Sequence, residues 1–119
     1  MKRFGLAAAL IFAPFAAFAD ISGTWTATFA TQVGEQNYTY EFEVDGMTLT
    51  GMAKSANGEV EIANGKVEGD TITFVENLTY QGMPLVITYT GKIVSDDEIQ
   101  FTRDVSGIAM EELVAKRAE

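Results

Sequence analysis

The sequence predicts an all-β protein, an eight-stranded antiparallel up-and-down barrel that follows a cleaved signal peptide. Three observations lead to this prediction. From residue 23 onward, apolar and polar side chains alternate with the period of two that is typical of half-buried strands. Short turn signals rich in Gly, Asn and Asp interrupt the alternation at regular intervals. All links between strands are short, so each strand is expected to pair with the next, and closure into a barrel removes the exposed edges.

The first element is an export signal over residues 1–19. Met1-Lys2-Arg3 gives a basic start, an uncharged apolar run follows, and Ala17-Phe18-Ala19 fits the small-x-small pattern that signal peptidase cleaves. The apolar run is shorter than the roughly 20 residues of a spanning helix. We expect cleavage between Ala19 and Asp20, no membrane attachment afterwards, and a periplasmic or secreted bacterial domain over residues 20–119. An uncleaved membrane anchor is the alternative.

Eight strands follow the signal. Val, Ile, Thr and aromatic residues dominate them, and these side chains suit a pleated, half-buried surface. The last strand is ambiguous because Met110, Leu113 and Val114 also fit one face of a helix. A strand is preferred there because the barrel otherwise lacks its closing partner. The predicted strands cover residues 23–33, 36–45, 48–56, 59–67, 70–80, 83–94, 97–105 and 109–117.

Composition excludes several kinds of chemistry. Without Lys2 and Arg3, the domain keeps six basic and seventeen acidic residues, a net charge of −11, which repels nucleic acid and anionic lipid. The chain has no His, which removes the usual general base, the usual zinc site and every Ser-His nucleophile. It has no Cys, so no disulfide supports the fold. We therefore expect no metal and no cofactor.

Gly23-Thr24-Trp25 opens the first strand of this arrangement. It resembles the Gly-x-Trp start of the calycins, the group of lipocalin and avidin-like barrels. The resemblance implies that Trp25 packs at the closed end of the barrel beneath an Arg from the last strand. Strand order alone places Arg117 at that end, so we expect Arg117 to cover Trp25 in a cation–π contact that closes the barrel. The mature chain is also similar to small secreted bacterial β-domains that have no assigned activity.

Two charged residues have the parity of the barrel interior. Glu76 lies between Phe74 and Leu78, and Arg103 lies between Phe101 and Val105. Their strands run in the same direction with one strand between them, at a separation of about 10 Å that two long side chains can bridge. Four tyrosines also point inward on their strands. The predicted interior patch comprises Glu76, Arg103, Tyr38, Tyr40, Tyr80 and Tyr89.

This patch has two interpretations. It forms either a binding site for one small polar ligand or a buried ion pair whose hydrogen bonds are satisfied by tyrosines. The preferred function is an exported, non-enzymatic barrel that binds a small molecule or serves as an accessory to other secreted proteins. One alternative is a cofactor-free isomerase or cyclase with Glu76 as base. Another is an interaction domain whose acidic outer face contacts a secreted protein, or a second copy of the chain. Glu111-Glu112 is expected to be solvated surface.

Overall fold

The computed structural model describes residues 20–118, all of them outside the predicted signal peptide and its cleavage site. The described part contains no helix long and apolar enough to span a membrane. Its strands are β1 (Gly23–Thr31), β2 (Gly34–Asp45), β3 (Thr48–Ser55), β4 (Gly58–Glu61), β5 (Ala63–Glu68), β6 (Thr71–Tyr80), β7 (Met83–Ser95), β8 (Glu98–Val105) and β9 (Ala109–Arg117).

The strands form a closed antiparallel barrel. Each strand pairs with its neighbours in sequence, except that β4 and β5 do not pair with each other, and β9 returns to pair with β1 through Lys116 opposite Thr26 and Arg117 opposite Trp25. Both β4 and β5 pair with β3, so they are two halves of one strand interrupted at Ile62. The barrel therefore has eight strands, as predicted. The last of them, β9, confirms that residues 109–117 form a strand rather than a helix.

The interruption between β4 and β5 is a β-bulge that the sequence prediction missed. Asn64 adopts a φ of 55°, and the pairing register of β5 with β6 shifts between Ala63 and Lys66. At Gly65 the backbone passes so close to β3 that a Cβ atom would lie 2.0 Å from the carbonyl oxygen of Leu49. Asn64-Gly65 therefore bends a strand here, and Gly69-Asp70 forms the turn before β6.

The barrel interior is filled by its own side chains over most of its length. The largest fully buried ones are aromatic, namely Trp25, Tyr40, Tyr89, Phe74 and Phe101. Phe74 and Tyr89 stack with ring centroids 4.3 Å apart, and Phe101 meets Tyr89 edge-on at 5.6 Å. The Phe101 ring covers Gly91, where a Cβ atom would lie 2.4 Å from the ring. Glycine at residue 91 thus makes room for an aromatic side chain on the next strand.

One end of the barrel is sealed. Ile21 is fully buried there and accepts a hydrogen bond of 2.9 Å from Trp25 Nε1 through its carbonyl oxygen. The guanidinium carbon of Arg117 lies 4.6 Å from the centroid of the Trp25 ring. Arg117 also donates to the carbonyl oxygens of Asp96 and Ser22, each at 2.8 Å. The structure thus brings Trp25 and Arg117 together across the seam between β1 and β9.

Candidate functional site

The opposite end, which we call the mouth, contains a cavity of about 180 Å³. It lies between the hairpins that join β1 to β2, β3 to β4, β6 to β7 and β8 to β9. Val33 and Ile108, at the tips of two of these hairpins, are 60% and 66% exposed, so the rim of the mouth is partly apolar. The cavity wall consists of Thr31, Gln32, Val33, Gln36, Tyr38, Asn57, Leu78, Tyr80, Leu85, Ile87, Arg103, Val105, Ile108, Ala109 and Glu111.

Beneath the mouth, the Tyr89 hydroxyl is the centre of a buried hydrogen-bond network. It donates to Glu76 Oε1 at 3.0 Å and accepts from Arg103 Nη1 at 2.9 Å. The Tyr40 hydroxyl lies 2.8 Å from it and acts as the donor, because the single Tyr89 proton is already directed at Glu76. Tyr38 donates to Glu76 Oε2 at 2.8 Å. Both carboxylate oxygens of Glu76 are therefore satisfied without water.

Arg103 links this network to the cavity. Its side chain is 5% exposed, and its guanidinium carbon lies 5.0 Å from the Phe29 ring centroid and 5.1 Å from that of Tyr38. The Nε atom lies 3.0 Å from Glu111 Oε1, close enough for an ion pair. The geometry of this contact is nevertheless not that of a hydrogen bond, and neither atom has a hydrogen-bond partner among the described residues. A buried donor and a buried acceptor thus stay unsatisfied beside the mouth cavity.

Burial sets the protonation of the network. It raises the pKa of Glu76, against the opposing effects of the hydrogen bonds from Tyr38 and Tyr89 and of the Arg103 charge. Burial also raises the pKa of Tyr40 and Tyr89, and together with the Glu76 charge it raises the pKa of Tyr38 to about 12. Burial alone would lower the pKa of Arg103, but its neighbours outweigh that effect and raise it. The tyrosines are therefore neutral and Arg103 is charged at physiological pH.

The geometry corrects the predicted contact between Glu76 and Arg103. They do not pair directly. The Tyr89 hydroxyl joins them, and the ion-pair partner of Arg103 is Glu111. Of the six residues in the predicted patch, five come together in the network or around Arg103. Tyr80 lies apart on the cavity wall, where its hydroxyl accepts a hydrogen bond from the Gln81 amide at 3.5 Å.

Glu111 is the site residue that sequence analysis missed, since the expectation of a solvated Glu111-Glu112 pair is wrong for Glu111. Its side chain is 11% exposed, whereas Glu112 is exposed. The alternation of β9 indicates the inward position of Glu111, because Glu111 lies on the same face of the strand as Leu113 and Ala115, which are both buried. An acidic pair that continues an alternating strand points one member inward.

A second, shallower concavity of about 900 Å³ lies on the outer surface across β1, β9, β8 and β7. Exposed polar side chains such as Thr28, Thr90 and Gln100 line much of it. It lacks the buried unsatisfied groups of the mouth, and it is open to solvent. Within residues 20–118, acidic side chains form no group of three that would hold a metal ion. The mouth is therefore the better candidate for specific recognition.

These features define a small closed β-barrel with a polar network under one open end. Comparison with known protein families and with curated proteins gives no match. Among solved structures, the chain is similar to a redesigned β-barrel, with a TM-score of 0.67, 16% identity, and coverage of 87% of this chain and 96% of that one. It is also similar to the redesigned β-barrel mFAP1 bound to DFHBI, with a TM-score of 0.57, 16% identity, and coverage of 82% and 94%. These likenesses show the fold.

Proposed function

We propose that this protein is an exported β-barrel that binds one small molecule at its mouth, with Arg103 and Glu111 as the polar contacts. The observation that carries the proposal is the mouth cavity, a largely apolar space whose wall includes Arg103 and Glu111, the two members of a buried ion pair. Buried polar groups without partners are rare in folded proteins, and an apolar cavity with a few convergent polar groups is typical of ligand sites.

Several features support a single site at the mouth. The opposite end is plugged by Ile21, Trp25 and Arg117, so a ligand has access from the mouth alone. An eight-stranded barrel has room for its own side chains or one small ligand, and a volume of about 180 Å³ suits a molecule of modest size. A barrel of similar fold, mFAP1, is bound to the small molecule DFHBI. Export rests on the sequence of residues 1–19 alone.

We also propose that this protein is related to the calycins, the group of lipocalin and avidin-type barrels. Its support is Gly23-Thr24-Trp25 at the start of β1 together with Arg117 packed over Trp25.

The enzymatic alternative has less support, because the proposed base Glu76 is 1% exposed and does not line the cavity. The alternative of a secreted protein partner is supported by the exposed apolar rim of Val33, Met83 and Ile108.

Native mass spectrometry of the chain isolated from its own cells tests the proposal. We expect a small added mass on the wild type and on Glu76→Gln, and a bare chain for the double variant Arg103→Met/Glu111→Met. The double variant exchanges the ion pair for apolar side chains of similar length, which leaves no unpaired charge at the mouth, although it also removes the hydrogen bond from Arg103 Nη1 to Tyr89. An added mass of protein size would favour the partner alternative. A bare wild-type chain would contradict binding at the mouth.

A further inference from the structure

The barrel wall is interrupted beside the mouth, between β4 and β6. The pairing of β5 with β6 ends at Ala63 opposite Val75, next to the bulge. Above that point, within residues 20–118, β4 pairs with β3 alone and the rest of β6 pairs with β7 alone. Gly58–Glu61 and residues 77–80 thus present two facing strand edges that no ladder joins, and we call the space between these edges the gap.

The strand register shows which backbone groups point into the gap. In an antiparallel pair, every second residue exchanges hydrogen bonds with its partner, and the residues between point their N–H and C=O groups to the other edge. The Ile62 N–H donates to the Gly51 carbonyl oxygen at 3.0 Å, which fixes this alternation along β4. Glu59 and Glu61 therefore point their backbone groups into the gap, and both residues are exposed. An unpaired edge of this kind accepts an added strand.

The two faces of the gap differ in chemistry. On the outer face, within the described residues, neither the Glu59 nor the Glu61 carboxylate forms an ion pair. On the inner face, Val60 packs against the core, and Leu78 and Tyr80 line the mouth cavity. Because successive side chains of a strand point to opposite faces, a strand in the gap places alternate side chains beside two carboxylates and beside an apolar wall.

Charge decides between a second copy of this chain and a different partner. If the β4 edges of two copies paired, the Glu59 and Glu61 carboxylates of both copies would lie side by side, and like charges opposite one another destabilise a strand pair. The excess of acidic residues in the chain adds to that repulsion. The same carboxylates attract a strand whose outward side chains are basic.

We propose that the gap is a docking site for an extended segment of another protein in which basic residues alternate with apolar ones. The segment pairs antiparallel with β4, through the backbone groups of Glu59 and Glu61. Its basic side chains meet the two carboxylates, and its apolar side chains contact Val60 and Leu78. This inference concerns the wall beside the mouth and does not rest on the binding of a small molecule.

Three synthetic peptides test the inference on the wild-type chain. The first alternates lysine with valine over about seven residues. The second has the same composition with its lysines grouped together, and the third is the alternating peptide with N-methylated lysine amides. The N–H of a residue opposite Glu59 or Glu61 points at β4, so this methylation removes the pairing and keeps the charge. We expect the alternating peptide to bind about tenfold or more tightly than the other two in a heteronuclear NMR titration.

Hydrogen exchange on the same samples reports the pairing directly. In the free chain, the Glu59 and Glu61 amides should exchange rapidly, whereas the Val60 amide, which pairs with Ala53 on β3, should exchange slowly. A saturating amount of the alternating peptide should slow exchange at Glu59 and Glu61 by about tenfold or more, because both amides then have partners.

Variants at residue 61 separate backbone pairing from charge. Glu61→Pro removes the N–H that points into the gap and breaks no hydrogen bond to β3. Glu61→Gln is the matched control, since it makes the same change of charge and keeps the N–H. We expect Glu61→Pro to weaken binding of the alternating peptide by about tenfold or more. Glu61→Gln should weaken it by only about threefold, which corresponds to one exposed cross-strand charge pair.

Several outcomes would overturn strand docking. Equal affinities of the three peptides would show that charge alone attracts them, and binding of none would show that the gap accepts no strand. Slow exchange of the Glu59 and Glu61 amides in the free chain would show that the gap is closed. If Glu61→Pro does not fold, the N-methylated peptide still decides, because it removes the donor on the peptide side. None of these results affects small-molecule binding at the mouth, which native mass spectrometry tests on its own.

Discussion

At the scale of single residues, the Tyr89 hydroxyl is the most connected group in the interior. It accepts from Arg103 and Tyr40 and donates to Glu76, which uses its whole hydrogen-bonding capacity. Removing that oxygen leaves Arg103 Nη1, the Tyr40 hydroxyl and Glu76 Oε1 without this hydrogen-bond partner. A buried polar group that loses its hydrogen bond destabilises the fold by more free energy than that bond contributes net to stability. Tyr89 therefore matters more to the stability of the barrel than its aromatic area alone indicates.

We predict that Tyr89→Phe lowers the free energy of unfolding by about 3 kcal/mol, because it leaves a charged donor, a hydroxyl and a carboxylate oxygen short of partners. Tyr40→Phe should cost about 1 kcal/mol, since Tyr89 keeps its bonds to Arg103 and Glu76. Tyr80→Phe is the control and should stay within about 0.5 kcal/mol, as its hydroxyl has only a long contact with Gln81. Urea unfolding measures all three. An equal cost for the three variants would contradict the network.

A second prediction concerns Glu76 and pH. Its folded-state pKa is raised above the usual value of 4.5, so the folded chain holds a proton that the unfolded chain has released. The contribution of Glu76 to stability is therefore fully present below its unfolded pKa and is lost as pH rises through the raised folded pKa. Glu76→Gln cannot titrate. We expect wild-type stability to decline relative to that of Glu76→Gln across this interval in urea unfolding at stepped pH, and a constant difference would contradict the raised pKa.

At the scale of elements, Gly65 and Gly91 allow strands to pack closely against different kinds of neighbour. A Cβ atom at Gly91 meets the Phe101 ring, which is a side chain, whereas one at Gly65 meets the backbone oxygen of Leu49. A side chain can repack and a paired backbone cannot. The strand pairing of β7 with β8 should therefore tolerate an added methyl group better than the bulge between β4 and β5 does.

We predict that Gly91→Ala lowers the free energy of unfolding by about 1–3 kcal/mol and that Gly65→Ala costs more. In the Gly91→Ala background, Phe101→Leu should cost less than it does in the wild type, because the smaller side chain relieves the clash. Thermal melts of the two singles and the double variant give the coupling, at about 4–8 °C for each kcal/mol. If the effects of Gly91→Ala and Phe101→Leu on stability are strictly additive, the Phe101 ring does not clash with the added methyl group.

Alternation of period two was enough to predict the eight strands, because each strand buries one face. The same rule could not predict the bulge at Asn64, since an Asn-Gly pair fits a turn as well as a bend. Parity also placed Glu76 and Arg103 inside. Parity alone could not predict that the Tyr89 hydroxyl joins Glu76 to Arg103, because that contact depends on how far each side chain extends into the barrel. The inward position of Glu111 follows from the same alternation that predicts β9, because Glu111 shares a face with Leu113 and Ala115.

At the scale of the whole molecule, the barrel is sealed at one end and has a cavity at the other. Arg117 connects the two ends of the described chain, with bonds to the carbonyl oxygens of Ser22 and Asp96 and a contact with Trp25. Its role is closure, separate from the mouth. Loss of Arg117 should therefore weaken the fold and leave recognition at the mouth unchanged.

We predict that Arg117→Gln lowers the free energy of unfolding by about 2 kcal/mol, through lost charge-assisted hydrogen bonds and a lost cation–π contact. Lys116→Gln is the control. Its exposed ion pair with Glu98 is worth little, so the melting temperature should hardly change. Hydrogen exchange should rise near Ile21 and Asp96 in Arg117→Gln while the mouth hairpins keep their wild-type rates. Faster exchange at the mouth would contradict the separation of the two ends.

The most direct test of binding at the mouth is a chemical-shift map of the isotope-labelled wild-type chain with the low-molecular-mass filtrate of its own cells. We predict shifts at the mouth, around Val33, Asn57, Tyr80 and Ile108 and at the Arg103 side chain, with the sealed end near Trp25 unchanged. The same filtrate should leave Arg103→Met/Glu111→Met unshifted. Shifts confined to the outer concavity, or no shifts anywhere, would contradict binding at the mouth.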